Sequence, residues 1–318
     1  MNVLLNYMPS PGHFERLRAA APGAVFTVAT DEDNACRAIV DADVVLGNRS
    51  FLQSLPYAAR LRWMQSNSMG VDTILRSAGP RLDGVVLTCA RGVYADEVAD
   101  HAMSLLLGVA RGLRGAVEAY GERRWGRWSL ATLAGRRGLV LGWGAIGRAI
   151  GRRLQGFGVS VSGVRRCGPV VAAPEESGGV VVHGPDTWRG ELKRSDLLII
   201  ALPLTPDTEG CIGADELASL PDDAIVVNVG RGAVIDQASL FAALRAGRLL
   251  GAGLDTLVDE PPAVDDPAWD VPRLLLTPHV GRSLEEGTPK WEWLFEENLR
   301  RFVHGEPLLN VVDRAAGY

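Results

Sequence analysis

The chain has 318 residues, more than one hydrophobic core normally serves, so two domains are expected. Hydrophobic residues make up 47% and charged residues 22%, the balance of an ordinary globular protein rather than a disordered or fibrous one. A net charge of -5, with basic pairs no longer than Arg123-Arg124 and Arg136-Arg137, excludes a nucleic-acid footprint, and no apolar run approaches the roughly 20 residues of a membrane span.

The opening MNVLLNYMPSPG has no basic region followed by a long apolar core; it reads as a first strand, and a cytoplasmic protein is expected. Cys36, Cys89, Cys167 and Cys211 show no CxxC pairing, and His13, His101, His183, His279 and His304 are dispersed, which predicts reduced thiols and no metal site. Up to about residue 95, short apolar runs at Val3 to Tyr7, Ala24 to Val28, Val44 to Gly47, Leu61 to Gln65 and Val85 to Thr88 alternate with helical patterns such as His13 to Ala20 and Asp31 to Asp41. This is a small α/β layer without a phosphate-binding fingerprint. Tyr94 to Arg114 then reads as one long helix, acidic at its start and basic at its end.

At Gly138 to Arg166 an apolar strand, Leu139 to Leu141, stops at Gly142-Trp143-Gly144-Ala145-Ile146-Gly147. Ile146, Ile150, Leu154 and Phe157 follow at helical spacing, and a second strand runs through Val159, Val161 and Gly163. Three glycines at a strand-to-helix turn inside a βαβ unit point to a dinucleotide: Gly142 makes the turn, Gly144 lets a pyrophosphate approach, and Gly147 lets helix and strand pack closely. The helix N-terminus, with Ala145 and Ile146 in its first turn, supplies N–H groups and partial positive charge to the diphosphate. Further strands at Val180 to His183, Leu197 to Ala201, Ala224 to Asn228, Gly251 to Asp255 and Leu274 to Thr277 complete a doubly wound parallel sheet. Glu285 to His304 reads as a helix with Phe295, Leu299 and Phe302 on one face, and Pro307 to Val312 as an extended tail returning to the first domain. The predicted organisation is an α/β protein of two doubly wound domains, a Rossmann cofactor domain at 96–283 inserted into a flavodoxin-like substrate domain at 1–95 and 284–318.

Three ionisable groups stand at the carboxyl ends of predicted strands, where open α/β sheets bind ligands: Arg231 between Gly230 and Gly232, Glu260 before Pro261-Pro262, and His279 after Pro278. A guanidinium suits a carboxylate, and a carboxylate beside an imidazole fixes its tautomer and favours its protonated form. Taken singly, each could be an ordinary loop side chain.

With Ser68-Met69-Gly70-Val71-Asp72, the Glu97 to Arg111 helix, the glycine turn, Leu202-Pro203-Leu204-Thr205-Pro206, Gly230-Arg231-Gly232, Glu260-Pro261, Pro278-His279 and Asn310-Val311-Val312, the sequence resembles the D-isomer-specific 2-hydroxyacid dehydrogenase family over nearly its whole length. The resemblance implies that His279 moves the hydroxyl proton, Glu260 supports the imidazolium, and Arg231 orients the carboxylate and polarises the carbonyl. It also implies substrate contacts at Met69 and Gly70, cofactor contacts at Pro203 and Asp255, and a homodimer. Where NAD-preferring members carry an Asp at the end of the second strand, this chain has Arg165 followed by Arg166, so NADP(H) is expected, with NAD possible if these arginines stack on adenine or face solvent. Asp255-Thr256 replaces a common Asp-Val pair, and Met69 replaces a small residue.

The expected activity is interconversion of a small 2-keto acid and its D-2-hydroxy acid, with glyoxylate or hydroxypyruvate favoured because the chain resembles compact members without an added regulatory domain. The alternatives are a nucleotide-sensing, corepressor-like binding protein, or a dehydrogenase of a phosphonate, phosphite or other unusual acid, for which Arg49 and Arg282 would be the handles. His101 is read as a packed helical residue, and Trp291 and Trp293 as helix packing that could shape a pocket wall.

Overall fold

The computed structural model describes residues 1–128, 130–166, 179–282 and 290–318. The chain divides into two compact units, Met1–Tyr94 with Glu285–Tyr318, and Ala95–Leu284.

In the first unit, β1 (Asn2–Leu5), β2 (Val25–Val28), β3 (Val44–Leu46), β4 (Trp63–Gln65) and β5 (Val86–Thr88) form a parallel sheet in the order β2-β1-β3-β4-β5. That is the flavodoxin-like order. The central strands β3 and β4 are buried at every position, as strands covered on both faces must be. The Pro11–Ala20 helix starts at Ser10, whose hydroxyl accepts from the His13 N–H, with Pro11 in the first turn where a missing donor costs nothing. His13 is fully buried: its Nδ1 donates to Glu296 (2.7 Å), its Nε2 meets the Tyr7 hydroxyl (2.7 Å), and Arg16 bridges Glu292 and Glu296. These contacts fasten the Pro11–Ala20 helix to the Glu292–His304 helix of the returning segment.

A second polar network anchors that return. Buried Trp63 donates through Nε1 to Thr88 Oγ1, Thr88 donates to Gln65 Oε1, and Asn298 reaches Gln65 Oε1 through Nδ2 and accepts from the Leu309 N–H. The tail then forms an antiparallel bridge between Thr88 and Val311. The expected helix from Glu285 begins at Glu292, and 283–289 lie outside the described residues. Phe295 and Leu299 are fully buried, and Phe302 stacks on Trp63. The two tryptophans differ. Trp291 is buried against Tyr7 and Phe295, whereas Trp293 is 54% exposed and does not pack as expected.

The second unit holds β6 (Arg137–Leu141), β7 (Ser160–Val164), β8 (Val181–His183), β9 (Leu197–Ile200), β10 (Ile225–Asn228), β11 (Gly251–Leu254) and β12 (Leu274–Leu276). All pair in parallel in the order β12-β11-β10-β9-β6-β7-β8, the doubly wound arrangement with its switch point between β6 and β9. Leu198, Ile200, Val226, Leu254 and Leu274 form a continuous buried layer on one face.

The long helix expected from Tyr94 to Arg114 is two helices, Ala95–Ala110 and Leu113–Gly121. Gly112, at φ 62°, breaks it in the left-handed region, and a Cβ there would meet Trp128 Nε1 at 2.5 Å. The signal was the glycine itself, hidden inside an otherwise periodic run. Among the described residues Cys36, Cys89 and Cys211 are free thiols; Cys167 lies outside them. No helix among the described residues is long and apolar enough to cross a membrane.

Candidate active site

The glycine turn links β6 to the Ala145–Gly156 helix, and each glycine answers a different local demand. Gly142 sits at φ 96°, and a Cβ on it would lie 2.5 Å from the Ala201 carbonyl; one on Gly147 would lie 2.1 Å from the Gly142 carbonyl. Gly144 by contrast is exposed, with nothing within 4 Å of where a Cβ would stand. It is the N-cap of the helix, and no side chain caps the first turn through Ala145 and Ile146. A tight, uncapped helix start with open space over its middle glycine fits a diphosphate. Arg165 and Arg166 follow the last residue of β7, Val164; both are exposed, and Arg165 N–H bonds the His183 carbonyl. Pro203, half-buried beyond β9, accepts from the Thr208 hydroxyl through its carbonyl.

Arg231, Glu260 and His279 all lie in this unit, beyond the ends of β10, β11 and β12. Buried Asn228 closes β10 and shapes the first loop: its Oδ1 accepts from Gly230 N–H and its Nδ2 donates to the Arg231 carbonyl, both at 2.9 Å. The Arg231 guanidinium donates to the Gly230 carbonyl through Nη1 (2.9 Å). The next residue admits no side chain, since a Cβ on Gly232 would fall 2.0 Å from the Leu257 carbonyl carbon. The Arg231 loop therefore lies directly on the segment leading to Glu260.

Glu260 uses its two oxygens differently. Oε1 accepts from the Leu257 N–H (2.9 Å), and Oε2 accepts from His279 Nδ1 (2.7 Å). With Nδ1 committed as the donor, Nε2 of the neutral ring is left as the acceptor, which is the tautomer a proton carrier needs. His279 is half exposed and holds φ 53°, an uncommon conformation for a side-chain-bearing residue.

Asp255 imposes that conformation. Its backbone carbonyl accepts from His279 N–H, its Oδ1 from Val280 N–H, and its Oδ2 from Gly281 N–H, each at 2.9 Å. Thr277 Oγ1 (2.7 Å) and His101 Nε2 (3.0 Å) complete the shell of Oδ1. Burial alone would raise the Asp255 carboxyl, but the bonds from His101, Thr277 and Val280 outweigh it and hold the group below the usual carboxylate value. Expected as a cofactor contact, Asp255 thus has both carboxylate oxygens taken up by protein donors. His101, read from sequence as plain helix packing, is one of those donors; nothing in a lone helical histidine announces a partner 154 residues away.

Met69 and Gly70 follow β4 in the first unit, where the Ser68 carbonyl accepts from the Ala90 N–H. Arg49, also in the first unit, is exposed and donates to the Thr30 carbonyl. Arg282 directly follows Gly281.

Residues 103–281 match the family model of the D-isomer specific 2-hydroxyacid dehydrogenase NAD binding domain. The chain is similar to the glyoxylate reductase of Thermococcus litoralis, 33% identical over 273 residues that span 82% of this chain and 79% of that protein. With the D-3-phosphoglycerate dehydrogenase of Methanocaldococcus jannaschii it shares 31% identity over 86% of its own residues, and it spans about half, 52%, of that relative's length. Among solved structures it resembles the NADPH-dependent glyoxylate/hydroxypyruvate reductase of Sinorhizobium meliloti in complex with NADP and sulfate, at 28% identity and TM-score 0.83, covering 100% of this chain and 99% of that one.

Thr256, next to Asp255, is 2% exposed, and its hydroxyl has no partner among the described residues. An unpaired buried hydroxyl costs about 1 kcal/mol or more. Thr256→Val, close in shape and without the hydroxyl, should raise the melting temperature by about 2–4 °C. A lower melting temperature in a calorimetric scan would mean that the hydroxyl is satisfied.

Proposed function

Because the chain belongs to the D-isomer specific 2-hydroxyacid dehydrogenase family, we propose that it is an NADP(H)-dependent oxidoreductase that interconverts a small 2-keto acid, glyoxylate or hydroxypyruvate foremost, and its D-2-hydroxy acid. The observation that carries this reading is the Glu260–His279 pair at 2.7 Å, with the second Glu260 oxygen pinned by Leu257 N–H. It leaves one ring nitrogen of His279 free to exchange a proton with a substrate oxygen.

Hydride transfer is the chemistry that a bound nicotinamide supplies. Gly142, Gly144, Ala145, Ile146 and Gly147 would hold its diphosphate, and Arg165 with Arg166 would attract a 2'-phosphate. In the reducing direction Arg231 receives the substrate carboxylate and polarises the carbonyl, and protonated His279 delivers its Nε2 proton to the carbonyl oxygen while Glu260 keeps the ring oriented. In the oxidising direction neutral His279 takes the hydroxyl proton at the same nitrogen. The two reductases named above, one of them solved with NADP, support this substrate and cofactor class. The second unit acts as the cofactor domain and the first, which carries the candidate substrate contacts Met69 and Gly70, as the substrate domain.

Leu113, Val117 and Tyr120 line one face of their helix at 50, 70 and 86% exposure, and Trp125 follows fully exposed. So much uncovered apolar surface supports a homodimer through this face. Among the described residues, the free thiols of Cys36, Cys89 and Cys211 fit a reducing, cytoplasmic setting.

Turnover with a panel of 2-keto acids should show NADPH oxidation with glyoxylate or hydroxypyruvate, and His279→Gln should lower kcat at least about 100-fold while retaining NADPH binding. Cofactor binding without turnover of any acid would favour a sensor instead. Replacing Arg165 and Arg166 by Ser should cut kcat/KM for NADPH by about 10- to 100-fold and leave NADH within about threefold, as expected for losing charge-assisted bonds to one phosphate. An unchanged NADPH to NADH ratio would remove these arginines from cofactor choice. Light scattering should report a dimer for the native chain and a monomer for Val117→Glu combined with Trp125→Ser; a monomeric native protein would overturn the assembly.

A further inference from the structure

The Ala95–Ala110 helix lies on β11 in a register that repeats one helical turn for every two strand residues. A Cβ on Gly251 would meet Val109 Cγ1 at 2.6 Å, and one on Gly253 would meet Leu105 Cβ at 2.8 Å, so both glycines are there to let the helix settle onto the strand. The next pair in this register is His101, one turn before Leu105, and Asp255, two residues after Gly253. Where the strand face stops presenting glycine it presents a carboxylate, and the helix meets it with an imidazole.

The chemistry of that meeting is defined. His101 Nε2 lies 3.0 Å from Asp255 Oδ1 and 2.9 Å from Thr277 Oγ1, while Thr277 Oγ1 itself donates to Oδ1. An ionised carboxylate only accepts, so Nε2 carries the hydrogen. His101 is 16% exposed and Asp255 3%, so water cannot readily replace this donor. Gly281, whose N–H rests on Oδ2, would place a Cβ 2.8 Å from that oxygen and 3.5 Å from His101 Cδ2.

We propose that His101 is a positioning residue for the proton carrier: it orients the Asp255 carboxylate, which holds the Val280 and Gly281 amides and thereby sets His279. The inference rests on the role of His279 proposed above. His101 touches neither Glu260 nor His279 among the described hydrogen bonds and acts through Asp255. Losing its donor loosens the 279–281 backbone and misplaces the imidazole, a loss that falls on kcat, because substrate and cofactor are held by other groups.

The test compares native protein, His101→Leu, which removes the donor, and His101→Gln, whose amide N–H can stand in for Nε2. Hydrogen exchange of the 277–281 backbone should speed up about tenfold in His101→Leu and return to within about threefold of native in His101→Gln. With the best 2-keto acid and NADPH, kcat should follow the same pattern, falling at least about tenfold in His101→Leu while KM and the NADPH Kd stay within about threefold. Unchanged exchange in His101→Leu, failure of His101→Gln to restore exchange, or NADPH Kd rising in step with the loss of kcat would each overturn the proposal. Exchange needs no substrate, so it decides the role of His101 even if no acid in the panel is turned over.

Discussion

One carboxylate at the end of β11 organises the second unit. Asp255 sits where the strand stops, and the three successive amides of His279, Val280 and Gly281 converge on it. Two end on its side-chain oxygens and one on its carbonyl, so the loop after β12 is folded around the residue that follows a neighbour strand. In a buried site such bonds are costly to break, because each leaves an unsatisfied group behind. The left-handed conformation of His279 is tolerated on that account. Asn228 does the same for β10, and its carbonyl accepts from the Asp255 N–H, so the two loop organisers are themselves joined. The loops that carry Arg231 and His279 are thus ordered by the chain's own hydrogen bonds, the preorganisation on which the electrostatic stabilisation proposed above would depend.

Much of this was legible in the chain, and what was not has a physical reason. The glycine turn could be read because each of its positions follows from local sterics, and strand ends could be read because a parallel sheet puts its functional groups there. Arg231, Glu260 and His279 stood out as ionisable groups beside glycine or proline. Period-2 and period-3.6 patterns placed the strands to within a residue or two, Leu61 to Gln65 contracting to Trp63–Gln65. Patterns say which residues lie at a strand end, but not which donor meets which acceptor. The bonds that Asp255 accepts from His101, Thr277, Val280 and Gly281 were therefore not visible in the sequence. His101 was illegible for the same reason, although the Gly-x-Gly of β11 was a visible sign that a helix must press against that strand.

The break at Gly112 has a similar origin. Apolar spacing continues through it from Ala95 to Gly121, and only the tertiary contact with Trp128 shows why the chain turns there. In the first unit the buried Gln65, Thr88 and Asn298 network was equally hidden. Polar side chains in a core cannot be paired from sequence, yet they secure the returning C-terminal segment.

Arg165 and Arg166 stand beyond β7, whereas His279 follows β12, and β6, β9, β10 and β11 separate those strands. At about 4.8 Å per strand the two places are roughly 24 Å apart, and the described bonds of the Asp255 cluster include neither arginine. Groups so far apart respond to mutation largely independently. On the roles proposed above, descent can exchange one dinucleotide for another beside β7, one strand in from the sheet's edge at β8, by altering two solvent-facing residues without a compensating change around the imidazole, so that coenzyme choice and reaction type would be free to evolve separately in this scaffold.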